Sequence, residues 1–246
     1  MDYLLILVFV LGFVSSVFGT LVGGGGGIIA VPILIFLGLP PTVAIATNKM
    51  GAIGSVPGSI YNFIKAHKIN YWYSIPFLLI SLVGGYIGAN MLVEMNEKIL
   101  TNIIAIIIVG ILPLLFVRDL GINKKTVPKF YIVIGMIVFF GLSIYGGLFG
   151  VAGGLLGIYA MILLFGTTYI QANAWTRLPA LGTFAVAIYV FAVNGLINYE
   201  YGIALALGSI FGGYVGSKTA LIKGDKFVRV FFTFFVILSA LKLIFF

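Results

Sequence analysis

The chain has 246 residues and a formal net charge of +8, with 62% hydrophobic and 8% charged residues. Soluble globular domains carry about 25% charged residues, so this composition excludes an ordinary water-soluble domain. The chain has no cysteine and one histidine. We therefore expect no disulfide, no metal site of the Cys/His type and no cofactor.

Apolar runs fill nearly the whole chain, and several reach the roughly 20 residues that a helix needs to cross a bilayer. Because lipid cannot satisfy backbone hydrogen bonds, such a chain forms either helices or a closed barrel. The runs lack the polar/apolar alternation of barrel strands. They predict an all-α, polytopic membrane protein with about 8 to 10 transmembrane helical elements. The runs are 3–22, 28–39, 75–93, 99–117, 130–149, 178–193, 202–215 and 227–246.

The first run resembles a secretory signal peptide only superficially. It carries Asp2 where a signal peptide has basic residues. A copy of its end, which starts at Gly19, recurs in the middle of the chain from Gly146. A cleaved peptide has no reason to recur, so we interpret the first run as a spanning helix.

Five consecutive glycines, Gly23–Gly27, follow that run. A glycine inside a helix costs about 1 kcal/mol relative to alanine, so an uninterrupted helix is not expected here. One interpretation is close helix packing, because Gly19 and Gly23 have the spacing of small residues at helix crossings. The other is an unwound segment at membrane depth whose N–H groups bind an anion. A weaker copy at Gly150–Gly154 favours the second interpretation.

The tripeptide Thr47-Asn48-Lys49 places a cation within apolar sequence, and Trp175-Thr176-Arg177 does the same later in the chain. A cation near the bilayer centre costs about 2.5–3.5 kcal/mol, so each is a candidate binding residue. Neighbouring hydroxyl and amide groups suit a tetrahedral oxyanion, and the arginine fork can bind it with two hydrogen bonds. Alternatively, short helices start near Thr42 and Tyr169, and the cations only snorkel or cap carbonyl groups.

The acidic residues avoid the centres of the apolar runs, so the sequence predicts neither a proton relay nor a paired-acid catalytic site. With no cysteine and a single histidine in a basic loop, the chain also lacks a nucleophile–base pair, which argues against an enzyme. The acids are Asp2, Glu94, Glu97, Asp119, Glu200 and Asp225.

The chain is a tandem duplication. Copies of residues 19–27 lie 127 residues later, and copies of residues 69–98 lie 128 residues later. Matches in the same order with one single-residue slip indicate a repeat. We predict a first transmembrane repeat over 1–117, a basic cytoplasmic linker over 118–129 and a second transmembrane repeat over 130–246. Paired positions include Gly23/Gly150, Gly27/Gly154, Lys49/Arg177, Gly84/Gly212 and Gly88/Gly216.

Charges at corresponding loops predict that the two repeats are inverted in the membrane. Loop 65–68 is basic, whereas its counterpart 193–197 carries no charge. Loop 94–98 is acidic on balance, whereas 218–229 holds four basic residues and one acid. Because basic loops stay in the cytoplasm, opposite bias means opposite orientation. The clustering of basic residues in short loops also explains the net charge without a nucleic-acid partner.

This orientation places 65–68, 118–129 and 218–229 in the cytoplasm, and 94–98, 194–200 and both termini outside. Each repeat then crosses an odd number of times. Residues 1–65 cross either once or three times, and three crossings need a short second helix that starts in the glycine segment. We predict five helical elements in each repeat, some of them short or broken.

Four elements of the first repeat, with echoes in the second, carry a family resemblance: Gly23–Gly27, Pro32, Ala46-Thr47-Asn48 and Gly84-Gly85-x-x-Gly88. With them the chain resembles, over essentially its whole length, the TauE/SafE family, also called the sulfite exporter or transmembrane anion transporter family. The resemblance implies transport of sulfur-containing anions such as sulfite, sulfonates and organosulfur acids. It also implies that both glycine segments line the anion path. Tyr159 departs from the pattern, since it stands at the position equivalent to Pro32.

We therefore expect a permease of the inner (plasma) membrane, with a role in sulfur metabolism, that moves a small sulfur oxyanion held near midplane between the two glycine segments. Efflux is preferred, because a potential that is negative inside drives an anion outward without a coupling ion. A gated anion channel and an importer coupled to H⁺ or Na⁺ stay open as alternatives, as does a homo-oligomer. The expected partners are the anion and the lipid bilayer. The candidate substrate-binding residues are Gly23, Gly24, Gly25, Gly26, Gly27, Thr47, Asn48, Lys49, Gly150, Gly153, Gly154, Thr176 and Arg177, with Gln171 and Asn173 as further donors.

Overall fold

The computed structural model describes residues 2–24, 26–97, 100, 103, 129–151 and 153–245, with the helical backbone alone for 2, 129, 225, 226 and 228–245. These residues are helical almost throughout and contain no strand, which confirms the predicted fold class. The helices are α1 (Asp2–Val22), α2 (Gly26–Phe36), α3 (Pro41–Ile53), α4 (Ser55–Lys65), α5 (Tyr71–Val93), α6 (Lys129–Leu148), α7 (Gly153–Phe165), α8 (Tyr169–Trp175), α9 (Arg177–Val193) and α10 (Tyr199–Phe245).

Within the described ranges, five helical stretches are long and apolar enough to cross a membrane, and α2 and α7 are shorter apolar helices. The chain is therefore a polytopic helical membrane protein. The predicted run 99–117 lies outside the described residues apart from 100 and 103, and so does the linker up to residue 128. The five stretches are Tyr3–Val22, Tyr71–Val93, Phe130–Leu148, Tyr169–Val193 and Tyr199–Gly224.

The short helices begin where the sequence breaks the longer ones. Helices α2 and α7 start at Gly26 and Gly153, inside the two glycine segments. Helix α3 starts at Pro41, a residue whose fixed φ suits the first helical position. Helix α8 starts at Tyr169 after Thr168, which closes a capping box. The starts of α2, α3 and α8 match the predicted ones, and α1–α5 fall within the predicted first repeat and α6–α10 within the predicted second repeat.

The predicted loop over 218–229 is reduced to a single break in a helical segment. Helix α10 runs through this segment with a break at Gly224, where a φ of 79° and a ψ of 174° turn the chain between two helical parts. Lys218 continues the helix, with its ammonium group 5.8 Å from the centre of the Tyr214 ring. A lysine stem packs along a helix while its charge reaches the membrane surface. Lys218 therefore belongs to the helical part that ends at Gly224.

Glycines allow the closest contacts between helices, in the pairs α1/α10 and α5/α6. A Cβ on Gly88 of α5 would clash with the Ile144 carbonyl of α6, and a Cβ on Gly216 of α10 would clash with the Val17 carbonyl of α1. Gly88 and Gly216 are paired by the duplication, and so are Val17 and Ile144. The repeated glycines thus make equivalent backbone contacts at two places. The repeat boundaries and the inverted orientation stay predictions.

Large apolar side chains cover the outside of the helices. On α1, Ile6, Leu7, Val10 and Val14 are exposed and fall on one face, whereas Gly12 on another face packs against α10. Soluble monomers rarely expose contiguous apolar surface of this kind. In a bilayer these side chains contact lipid, and the backbone groups inside each helix are satisfied by the helix itself.

The equivalent glycine contacts predict paired effects on stability. Substituting Gly88→Ala or Gly216→Ala should lower the free energy of unfolding by about 1–3 kcal/mol, because each methyl group meets backbone that cannot rotate away. Thermal unfolding of the purified protein in detergent measures the change. Gly141→Ala is the control, since a Cβ on Gly141 of α6 meets nothing within 4 Å. An equal loss of stability for Gly141→Ala would contradict the explanation.

Candidate functional site

Both glycine segments are breaks between helices, and the two breaks touch. Between α1 and α2 the backbone has positive φ at Gly23 (+83°) and Gly24 (+125°), and between α6 and α7 it has positive φ at Gly150 (+66°). A Cβ placed on Gly24 would lie 2.5 Å from the Gly154 Cα atom. Unwinding and close packing, posed as alternatives from the sequence, occur together here. Gly25 lies outside the described residues.

The Lys49 side chain reaches from its own helix to a helix of the other predicted repeat. It lies on α3, is 0% exposed, and its ammonium group donates a hydrogen bond to the Gly146 carbonyl in the last turn of α6. That ammonium group is also 5.3 Å from the centre of the Phe184 ring. Neither neighbour carries a negative charge, so the structure gives this buried cation dipole and ring partners but no carboxylate.

Arg177 is held by an amide instead. It starts α9, is 6% exposed, and donates from Nε to Asn173 Oδ1 at 3.0 Å. A second guanidinium nitrogen donates to the same oxygen. Asn173 Nδ2 in turn donates to the Thr20 carbonyl of α1 at 2.9 Å. Arg177 is therefore linked through Asn173 to the last turn of the first helix, and its partners are neutral.

The two breaks and the two cations line one cavity of about 120 Å³. Its lining comes from equivalent positions of the two repeats, so the cavity lies where the repeats meet. Lining residues that pair at the offsets of 127 or 128 are Gly19/Gly146, Gly23/Gly150, Gly26/Gly153, Gly27/Gly154, Asn48/Thr176 and Lys49/Arg177.

Most of the candidate residues are brought together here. All the described ones line the cavity except Thr47. The Thr47 hydroxyl accepts a hydrogen bond from the Asn198 N–H at 3.0 Å and so holds the start of α10. Of the further donors, Asn173 positions Arg177, whereas Gln171 belongs to the capping box of α8. The binding of substrate by these residues stays a prediction.

The structure adds hydroxyl groups that the sequence did not single out. Ser16 and Ser143 line the cavity from α1 and α6, and Ser55 and Thr183 line it from α4 and α9. Each pair is related by the duplication, so extending the repeat comparison a few residues outward would have found them. Thr20 also lines the cavity, and its buried hydroxyl has no hydrogen-bond partner in the described chain. It is free to donate to a ligand.

The electrostatics of the cavity favour an anion. The first turns of α2 and α7 line it at Gly26–Gly27 and Gly153–Gly154. The first N–H groups of a helix have no partner inside the helix, and the helix dipole makes them positive. These two helix starts, Lys49 and Arg177 all bring positive charge to the lining of the same cavity. Among the described residues that line it there is no aspartate or glutamate.

The family model of the sulfite exporter TauE/SafE matches residues 8–243. The chain belongs to this family. It is 29% identical to a probable membrane transporter protein of Haemophilus influenzae over 92% of this chain and 89% of that protein. It is 27% identical to the probable membrane transporter protein YunE of Bacillus subtilis, over 98% and 97%, and to YfcA of Escherichia coli K12, over 89% and 80%. No solved structure matches the chain.

The family and the relatives, matched over most of their length, identify the chain as a membrane transporter. This agrees with the sequence prediction. In the part of the chain that the structure describes, no three histidine, cysteine, aspartate or glutamate residues come together as a metal site.

The contact between the two breaks predicts different effects for two glycines of positive φ. Gly38→Ala should cost about 1–2 kcal/mol of stability, from backbone strain alone, and leave transport intact, because a Cβ there meets nothing within 4 Å. Gly24→Ala adds the clash with Gly154 and should reduce both stability and transport. Thermal unfolding and flux in proteoliposomes measure the two effects. Similar transport by both variants would show that the contact is dispensable.

Proposed function

We propose that the chain is a permease for small sulfur-containing oxyanions in the plasma membrane, with the anion held in the cavity between the two glycine breaks. The observation that carries the proposal is the pair of buried cations, Lys49 and Arg177, in a cavity whose described lining has no acid. A buried charge without a partner is costly, and an anion supplies the missing charge. The name of the family supports a sulfur oxyanion as that charge.

The size of the cavity supports a small substrate. An engineered cavity of about 150 Å³ in another protein holds one benzene molecule, and this cavity has about 120 Å³. A sulfite or a short sulfonate fits such a space. The N–H groups at the starts of α2 and α7, the Thr20 hydroxyl and the two cations supply donors from several directions, as the oxygens of a tetrahedral group require.

Transport follows from the same arrangement if the repeats are inverted, with both termini outside. When two inverted halves meet at a central site, movement of one half against the other can open the site first to one side of the membrane and then to the other. A negative potential inside the cell supplies about 2.3 kcal/mol per charge per 100 mV for the outward movement of an anion. Efflux therefore needs no coupling ion, and uptake needs a cation such as H⁺ or Na⁺.

Removing either cation tests the site. Lys49→Ala or Arg177→Ala should weaken the binding of sulfite or a short sulfonate by at least about 30-fold, because truncating one member of a buried charge pair costs about 2 kcal/mol or more. Calorimetry or thermal shift measures the affinity. Lys218→Ala is the control, since this lysine is exposed and lies outside the cavity lining. Unchanged binding in both cavity variants would refute the site.

The driving force tests the direction. In proteoliposomes, efflux of a radiolabelled sulfur anion should accelerate with a potential that favours anion exit and should not depend on a sodium or proton gradient. Flux that ignores the potential but follows a sodium gradient would reverse the preference for efflux. Discrete single-channel currents would instead favour the channel alternative.

A further inference from the structure

The described lining of the cavity has two cationic side chains and no acidic one, and this limits which anions can neutralise it. Lys49 and Arg177 both line the cavity and are 0% and 6% exposed. Every hydrogen-bond partner that the structure gives these two groups is neutral: the Gly146 carbonyl for Lys49, and the Asn173 carbonyl and side-chain oxygen for Arg177. With both side chains protonated, the cavity therefore carries two positive charges.

Acidic residues of the described chain lie elsewhere. Glu94 and Glu97 follow the end of α5, and Glu200 lies in the first turn of α10. None of them lines the cavity, although Glu97 accepts a hydrogen bond from Thr42 at 3.2 Å. Dipoles of carbonyl and amide groups stabilise a buried cation only in part, because each carries a fraction of a charge. An anionic ligand supplies the remaining compensation.

From this balance we propose that the cavity selects an anion with two negative charges over an anion of the same shape with one. The proposal rests on the proposed function and names its substrate class: divalent sulfur oxyanions, either a single doubly charged group or two acid groups on a short chain. A monovalent anion leaves one buried cation without a counter-charge, whereas a divalent anion neutralises both. The cavity volume of about 120 Å³ admits one such ion.

The two cations suit different parts of a divalent anion. The Arg177 fork can place two parallel hydrogen bonds on one acid group, and the Lys49 ammonium is a compact charge that can meet any oxygen. They belong to opposite repeats, so a ligand that neutralises both is held by both halves. Charge selectivity of this kind requires the two residues together and is lost when either is neutral.

Matched pairs of anions test the proposal on the full-length protein in detergent at mildly acidic pH, where both cations are protonated and the acid groups of all four anions are ionised. Sulfate and methanesulfonate are both tetrahedral and differ by one charge. Sulfoacetate and isethionate share a two-carbon chain and differ in the same way. Calorimetry should give a dissociation constant for the divalent member that is lower by more than about tenfold in each pair, with one ion bound per chain. Equal affinities within both pairs, or two monovalent ions bound per chain, would overturn the proposal.

Substitutions that remove or keep the charge separate this effect from packing. Lys49→Met and Arg177→Gln should each abolish or reverse the preference for the divalent anion, because one positive charge then remains. The monovalent and divalent members of a pair should then have dissociation constants that differ by about onefold, or the monovalent member should bind more tightly. Lys49→Arg and Arg177→Lys keep both charges and should keep the preference. A preference that survives both charge-removing variants would overturn the proposal. If these variants fail to fold, the comparison of anions on the unmodified protein decides alone.

The outcomes also separate this inference from the proposed function. If sulfur anions of both charges bind equally, the permease proposal stands and the charge selection fails. If malonate binds as tightly as sulfoacetate, and acetate binds weakly, the charge selection stands and the preference for sulfur fails. If no anion binds to folded protein, both fail.

Discussion

Two buried cations in a cavity whose described lining holds no carboxylate are the constraint on which this structure depends. Lys49 and Arg177 occupy equivalent positions of the repeats and line the same cavity. A charged side chain at membrane depth is stable only where the protein surrounds it with polar groups. The helix ends next to the breaks provide those groups. The Gly146 carbonyl meets Lys49, and the Thr20 carbonyl meets Asn173, which holds Arg177.

Glycine residues make this polar environment of the cations possible in two different ways. At the breaks, positive φ at Gly23, Gly24 and Gly150 lets each helix end and a new one begin beside the cavity. Along the helices, Gly88 and Gly216 let backbones approach closely enough for the bundle to hold these broken segments in place. Irregular backbone at membrane depth is tolerated only where protein or a polar cavity satisfies it. The packing glycines and the unwinding glycines therefore support the same site.

Much of this arrangement could be predicted from the sequence, because the strongest signals are local and occur twice. A run of five glycines contradicts a continuous helix, and a lysine within apolar sequence contradicts simple lipid exposure. Both signals occur at equivalent positions of the duplication, so they are not accidents of a glycine-rich, apolar composition. The positions of both breaks and the starts of α3 and α8 follow from such signals.

The serine residues and the helix through Lys218 could not be predicted in this way. A serine in an apolar helix satisfies its hydroxyl on a carbonyl of the preceding turn, as Ser143 does on Phe139 at 2.6 Å. Such a residue has no distinctive local pattern, and only its distant repeat mate identifies the face that it shares with the cavity. Charge likewise marks where a helix reaches the membrane surface but not whether it stops there, so α10 continues past Lys218 to the turn at Gly224.

The hydrogen bonds of the cations connect binding to the contact between the halves. Lys49 of the first repeat bonds to the last turn of α6, and Arg177 of the second repeat reaches the last turn of α1 through Asn173. Each cation therefore joins its own half to the opposite one at a helix end that carries partial negative charge. Under the proposed function, an anion in the cavity competes with these carbonyls for the same cations. Occupation of the proposed site and the strength of the contact between the halves are then coupled, as alternating access around a central site requires.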